Sequence, residues 1–231
     1  MIQVLLGCRH SSVDSIGIKY NTLLAGDGWE DGPYVQVIST SGKLTDLIIM
    51  LESAPGVGNS RTFTIYKNDI ATALSVTIAD DNTTGEDTDE VPVSIGDIVY
   101  IAATGSGTPP TNVVHYASKF KSNYPCESLI MGIILALNDT TIYAPPMSGE
   151  STVGATSENA VFQVIPTPGR IKNLCINAAS DPGTYPDGYR FTLRKNGEDT
   201  ALSVTIYAND KIGYDLTNIV AVWPGDYISL K

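Results

Sequence analysis

The sequence predicts an all-β protein made of two tandem antiparallel β-sandwiches that arose by internal duplication. Three observations carry this reading. The stretch Phe63–Ile78, FTIYKNDIATALSVTI, recurs as Phe191–Ile206, FTLRKNGEDTALSVTI, at an offset of 128 with 11 of 16 positions identical. Short runs of alternating apolar and polar residues fill both copies, and no amphipathic helix of convincing length interrupts them. Apolar residues make up 42% and charged residues only 17%, alongside many Thr, Ser, Gly and Asn, a composition of short strands and frequent turns.

Taken in order, the first domain spans residues 1–122 and the second 127–231, with a junction near 122–127. Residues 1–7 form an apolar run, followed by a mixed stretch to Tyr20 and the Gly-rich turn Ala25–Gly28. Val35–Ile38 reads as a strand with Phe162–Ile165 as its counterpart. Ser41–Leu44 answers Pro168–Ile171 and Leu47–Leu51 answers Leu174–Ala178, so these runs on either side of a glycine read as a hairpin. The repeated stretch is a second hairpin, in which Asn196-Gly197 supplies the positive φ angles of a tight turn. Its inward residues are Phe63, Ile65, Leu74, Val76 and Ile78, and in the second copy Phe191, Leu193, Leu202, Val204 and Ile206.

After the hairpin the copies diverge through a segment carrying Asp80, Asp81, Glu86, Asp87, Asp89 and Glu90, which reads as a solvated loop. They converge again on Val91–Ile101 and Val220–Leu230, each with a Gly-Asp turn before its last strand. Pro92 has no amide donor and marks an edge or a strand start. Residues 103–112 read as a flexible connection, Val113–Phe120 as one more strand without a counterpart in the second copy, and Leu129–Leu137 as the opening of that copy.

Charge and residue types narrow the chemistry. The formal net charge of -11 repels phosphate backbones and argues against a direct nucleic-acid role. The start has no basic region and no cleavage site of a signal peptide, and the apolar run 129–137 is too short to span a bilayer. The three cysteines, Cys8, Cys126 and Cys175, form no C-x-x-C pair and read as small core residues. His10 and His115 lie in non-equivalent places, and Cys8-Arg9-His10 offers zinc too few ligands. Residues 149–154 lack the spacing of a nucleophile elbow. Gly56-Val57-Gly58 and Gly105-Ser106-Gly107 precede no helix, so neither is a phosphate cradle. The acidic segment matches no EF-hand. No catalytic, cofactor-binding or metal-ligating residue is therefore assigned. Trp29, Tyr34, Tyr185, Tyr189 and Trp223 offer one alternative, a stacking platform for sugar rings.

The joint pattern F-T-L-x-K-N-G, T-A-L-S-V-T-I, a variable loop with Asp, and V-x-V-x-x-G-D-x-I-S-L is carried by Phe191–Gly197, Thr200–Ile206, Asp215 and Val220–Leu230, with Phe63–Ile101 following it. It resembles a β-rich module common in structural proteins of tailed bacteriophages and other viruses. The resemblance implies jelly-roll domains of the trimeric, C1q-like or capsid kind and supplies no catalytic residues. It implies a virion structural protein, a capsid, decoration or fibre subunit assembled in the host cytoplasm as a homo-oligomer, a trimer first, with other virion proteins as partners. The family's usual last strand, matched by Val113–Phe120, is missing from the second copy. The runner-up reading is a carbohydrate-binding module for host attachment, which Trp29 and Trp223 sharing one exposed groove would favour.

Overall fold

Strands account for nearly all regular structure in the computed structural model, which describes residues 2–14, 17–24, 28–132, 134–136, 141–147 and 152–231, and of residues 8–11, 134–136 and 152–153 the backbone alone. Of the predicted turn at Ala25–Gly28 only Gly28 is described, and the Cys8-Arg9-His10 side chains and residues 149–151 lie outside the described residues. The chain divides into two compact units, Met1–Ile133 and Ile134–Lys231.

The first unit contains β1 (Ile2–Val13), β2 (Lys19–Asn21), β3 (Gln36–Val37), β4 (Gly42–Leu51), β5 (Gly56–Lys67), β6 (Ile70–Asp80), β7 (Thr84–Asp87), β8 (Val91–Val93), β9 (Ile98–Ser106) and β10 (Asn112–Ser122). One sheet runs β1-β10-β4-β7 with β8 also on β4, and the other β2-β9-β5-β6 with β3 on β9. All pairings are antiparallel. Alternation along each strand sends one set of side chains inward, so Leu5, Leu44, Leu47, Ile49, Val114 and Phe120 of one sheet meet Phe63, Ile65, Leu74, Val76, Ile78 and Ile101 of the other in a single core.

The second unit contains β11 (Ile134–Ala136), β12 (Thr152–Val153), β13 (Gln163–Val164), β14 (Gly169–Asn177), β15 (Gly188–Lys195), β16 (Glu198–Tyr207), β17 (Ile212–Val222) and β18 (Tyr227–Leu230). Its four-stranded sheet runs β13-β18-β15-β16, and β14-β17 and β11-β12 are two-stranded. The core is split into two small clusters, one around Leu193, Leu202, Val220, Val222 and Ile228 and one around Phe191, Val204 and Ile206.

The repeated hairpins have the same register, Phe63 opposite Val76 and Phe191 opposite Val204. Both central turn residues have positive φ, Asn68 and Asp69 in the first unit and Asn196 and Gly197 in the second. The turn is locked identically: the Asn68 amide donates to Asp97 and its carbonyl accepts from the Ile98 amide at 2.7 and 2.9 Å. Asn196 repeats both bonds to Asp226 and Tyr227 at 2.7 and 2.9 Å. The Gly-Asp turn thus fixes the strand that follows it, β9 or β18, and the hairpin together.

Several sequence-based expectations are corrected. No hairpin forms about Gly42, because β3 pairs with β9 while β4 pairs with β10, β7 and β8, in the opposite sheet. Gly42 serves close approach instead, since a Cβ there would lie 2.5 Å from the Lys121 carbonyl and 2.6 Å from the Phe120 ring. The acidic segment is not only loop: Thr84–Asp87 is strand β7, whose Gly85 lies flat on Val76. The connection 103–112 is shorter than expected, because Ala103–Ser106 extend β9 against Phe63–Ser60. Leu129 does not open the second unit. It is buried with Met131 in the first core and exchanges hydrogen bonds with the Gln3 side chain at 2.6 and 2.9 Å, which carries the first unit past 122–127. Cys126 is exposed in the turn after β10, and Cys175 is only partly buried, so neither is a core residue.

Candidate interaction surface

Among the described residues no cluster of three or more His, Cys, Asp or Glu side chains is placed to hold a metal. Three carboxylates of the acidic segment are engaged by the protein itself. Asp80 accepts from the Gly58 amide at 2.7 Å, Asp87 from the Ser75 and Asp89 amides at 2.7 and 2.9 Å, and Glu90 pairs with Lys43. His115 is exposed on β10, 4.0 Å from Glu52.

Asp215 is the structural counterpart of Asp87, each accepting from the backbone amide of the serine in the neighbouring hairpin strand, Ser203 or Ser75. It is buried and accepts from the Ser203 amide at 3.0 Å, the Thr217 amide and hydroxyl at 3.2 Å each, and the Asn218 amide and side chain at 3.0 and 2.9 Å. Burial pushes this carboxyl up, but the donors from Asn218, Ser203 and Thr217 outweigh it and hold the group well below the ordinary Asp range. The bond to Ser203 ties β17 to β16 across the two sheets. The sequence signal was available as the shared Gly-x-Asp at Gly85-Glu86-Asp87 and Gly213-Tyr214-Asp215.

Arg194 is the centre of a second polar cluster. Its guanidinium meets Glu158 at 3.1 and 3.2 Å, pairs with Asp199 and caps the Gly197 carbonyl, while Ser229 donates to Glu158 at 2.6 Å and Lys231 pairs with Asp199. Every carboxylate in the cluster is held by a cation or donor, so the arrangement fastens β15, β16 and β18. At Cys175, burial pushes the thiol up to about 11, which keeps it protonated and a poor nucleophile near neutral pH.

The aromatic platform is not assembled. Trp29 is buried in the first core, edge-on to Phe63 and Tyr116 with ring centroids 5.8 and 6.0 Å away. It lines no exposed groove, so the stated condition for the sugar reading is not met. Tyr189 packs against the Phe191 cluster, leaving Tyr185 and Trp223 as the exposed members of the set, with Tyr34 half-buried.

The surface feature that stands out lies on β17. Inward Gly213, Asp215, Val220 and Val222 alternate with outward Ile212, Tyr214, Leu216 and Ile219, and Trp223 follows. These five side chains are between 46% and 62% exposed, in a stretch about 35 Å long. Matching strand pairings put Ile212 in the place of Thr84 and Tyr214 in that of Glu86, each pair facing the same position of β14 or β4. The same correspondence sets Leu216, Ile219 and Trp223 against Thr88, Glu90 and Ser94. Where the first unit turns hydroxyls and carboxylates outward, the second turns out large apolar groups. The first unit also exposes apolar side chains on its other strands, Ile2, Val4 and Leu6 of β1 and Ile48 and Met50 of β4.

The second feature is β14. In the first unit β4 is enclosed, by β10 on one side and by β7 and β8 on the other. β14 pairs with β17 alone, and no other described strand runs along its opposite edge. Consequently Ile171, Leu174 and Ile176 are only partly buried, whereas Leu44, Leu47 and Ile49 are fully so.

Among the described residues no helix is long and apolar enough to cross a membrane. Compared with protein-family models and with curated protein sequences, the chain matches none.

Proposed function

We propose that this protein is a virion structural subunit of the capsid, decoration or fibre kind, acting by self-association and by contact with neighbouring shell proteins rather than by catalysis. The observation that carries the reading is the outward apolar row of β17, Ile212, Tyr214, Leu216, Ile219 and Trp223. Contiguous exposed apolar surface marks a place where another protein packs, and the polar residues at the matching positions of the first unit show that the module itself does not require it. The duplicated module and its likeness to viral β-rich modules supply the virion setting. A trimer is the first assembly to test, because two similar modules per chain give six around a threefold axis, an outline suited to tiling a shell.

The test installs the first unit's own surface on the second: Ile212→Thr, Tyr214→Glu, Leu216→Thr, Ile219→Glu and Trp223→Ser together. Light scattering and electron microscopy should show an assembly for the wild type and a folded monomer for the variant. A wild type that stays monomeric at every concentration, or a variant that assembles unchanged, defeats the proposal.

A further inference from the structure

We infer that the outer face of the β15–β16 hairpin binds an acidic saccharide, with sugar rings stacked on Tyr185 and Tyr207 and a carboxylate of the sugar held by Arg190. This goes beyond the assembly reading and does not depend on it. The aromatic set named from the sequence does not come together, but Tyr185 finds a neighbour outside that set: its ring centroid lies 6.4 Å from that of Tyr207, with the planes tilted by 49°. The two side chains are 75% and 51% exposed. Backbone hydrogen bonds hold them side by side. The Asp187 amide donates to the Thr184 carbonyl at 3.0 Å, which closes a turn around Tyr185, and the Ala208 amide donates to the Asp187 carbonyl at 3.1 Å, which ties that turn to the residue after Tyr207. Gly188 stands opposite Tyr207 in the ladder, and a Cβ there would lie 3.0 Å from the Tyr207 ring, so only the missing side chain lets the ring settle against β15.

The first unit shows what the module carries here without such a site. In the same register Ser60 stands opposite Ala79 and Thr62 opposite Thr77, and the two threonine hydroxyls are hydrogen-bonded to each other at 2.8 Å. The second unit puts Gly188 opposite Tyr207 and Arg190 opposite Thr205. Phe191, Val204 and Ile206 point into the core, so by alternation Tyr207, Arg190 and Thr205 share the outer face. One two-residue step along the strands, about 7 Å, separates Tyr207 from the Arg190–Thr205 row. Arg190 and Thr205 are exposed, and neither side chain has an ion-pair or hydrogen-bond partner among the described residues. These parts select the ligand. Flat aromatic faces take the C–H face of a pyranose ring, a guanidinium grips a carboxylate through two parallel N–H bonds, and a threonine hydroxyl matches a sugar hydroxyl. Two rings and one arginine are far smaller than the roughly 1,200 Å2 that a specific protein contact buries, which fits a small ligand. Nucleic-acid bases also stack on tyrosine, but the net charge of -11 opposes a phosphate chain.

The full-length chain is titrated with oligogalacturonate, with sialyllactose, with a neutral malto-oligosaccharide and with oligothymidine, and binding is read by saturation-transfer NMR. At least one of the two carboxylated sugars should bind, and which one does separates a uronic from a sialic acid source. The neutral sugar should bind about tenfold more weakly, and Arg190→Gln should remove that difference by weakening the carboxylated sugar alone. Tyr185→Ala and Tyr207→Ala should each weaken binding about tenfold, while Tyr207→Phe, which keeps the ring, should not. All three positions are exposed, so the denaturation midpoint of each variant should stay that of the wild type and separate lost binding from lost folding. The inference is overturned if neither carboxylated sugar binds, if neutral and carboxylated sugars bind alike, if Tyr207→Ala binds as the wild type does, or if oligothymidine alone binds. Saturation transfer reads a site on one chain whatever its oligomeric state, so its failure is distinct from failure of the β17 surface swap.

Discussion

Replacing Asp215 by Asn keeps the side chain's shape and removes its charge and one acceptor oxygen. All of its partners, the Ser203, Thr217 and Asn218 amides together with the Thr217 hydroxyl and the Asn218 side chain, act as donors. An Asn NH2 turned toward Ser203 leaves that half-buried amide without an acceptor, and the other rotamer strands the amides of Thr217 and Asn218. One unsatisfied buried donor costs about 1–3 kcal/mol, and the surviving bonds lose their charge assistance, so the substitution should cost about 2–4 kcal/mol. The folded carboxyl sits below its ordinary range, so its contribution is complete above the ordinary Asp range and is lost as pH falls toward the lowered value. The deficit of Asp215→Asn should therefore be largest near pH 7 and narrow below about pH 4. Hydrogen exchange of β16 and β17 in increasing urea, at both pH values, measures it. Equal stability at pH 7, or a deficit that does not shrink in acid, would refute the reasoning.

Three further outcomes follow from the same packing and hydrogen bonding. Asp87→Asn, which disturbs only the bonds to Ser75 and Asp89, should cost less than Asp215→Asn in the same exchange experiment. Gly213→Ala places a Cβ 2.3 Å from Val204, and Gly85→Ala one 2.6 Å from Val76, so each should lower stability by about 1–3 kcal/mol in chemical denaturation. Phe63→Ala removes a fully buried ring from the first core and should cost about 3–5 kcal/mol, and a loss under 1 kcal/mol would show that the core collapses around the gap.

The central hairpins were legible because two local signals agree there, strict alternation and a turn that needs positive φ. Every inward residue named from that alternation is buried. Gly42 was misread because local sequence does not separate a glycine that turns from one that lets a neighbouring strand approach, and here the neighbour, Phe120, is far along the chain. β7 was hidden because its composition is that of a loop. Its place in the sheet is set by Gly85 lying on Val76 and by Asp87 reaching Ser75, contacts between opposite sheets. The β17 row was in plain view once the two halves of the sequence were aligned residue by residue, as Ile, Tyr, Leu and Ile against Thr, Glu, Thr and Glu. Its meaning depended on knowing which side of the strand faces out. Trp29 shows the converse, an aromatic whose type suggested a surface role and whose neighbours, Phe63 and Tyr116, hold it inside.

The two tryptophans fall one to each unit, Trp29 enclosed by aromatic rings and Trp223 standing in water. Excited at the indole band, the chain therefore carries two optical channels that respond to different events. Melting of the first unit moves the Trp29 emission to the red, because water reaches an indole that was dry. Trp223 is already wet and should scarcely notice unfolding. It should instead shift to the blue and escape iodide quenching when another surface settles over β17. Stability of one half and docking by the other can thus be followed in the same cuvette, without a label.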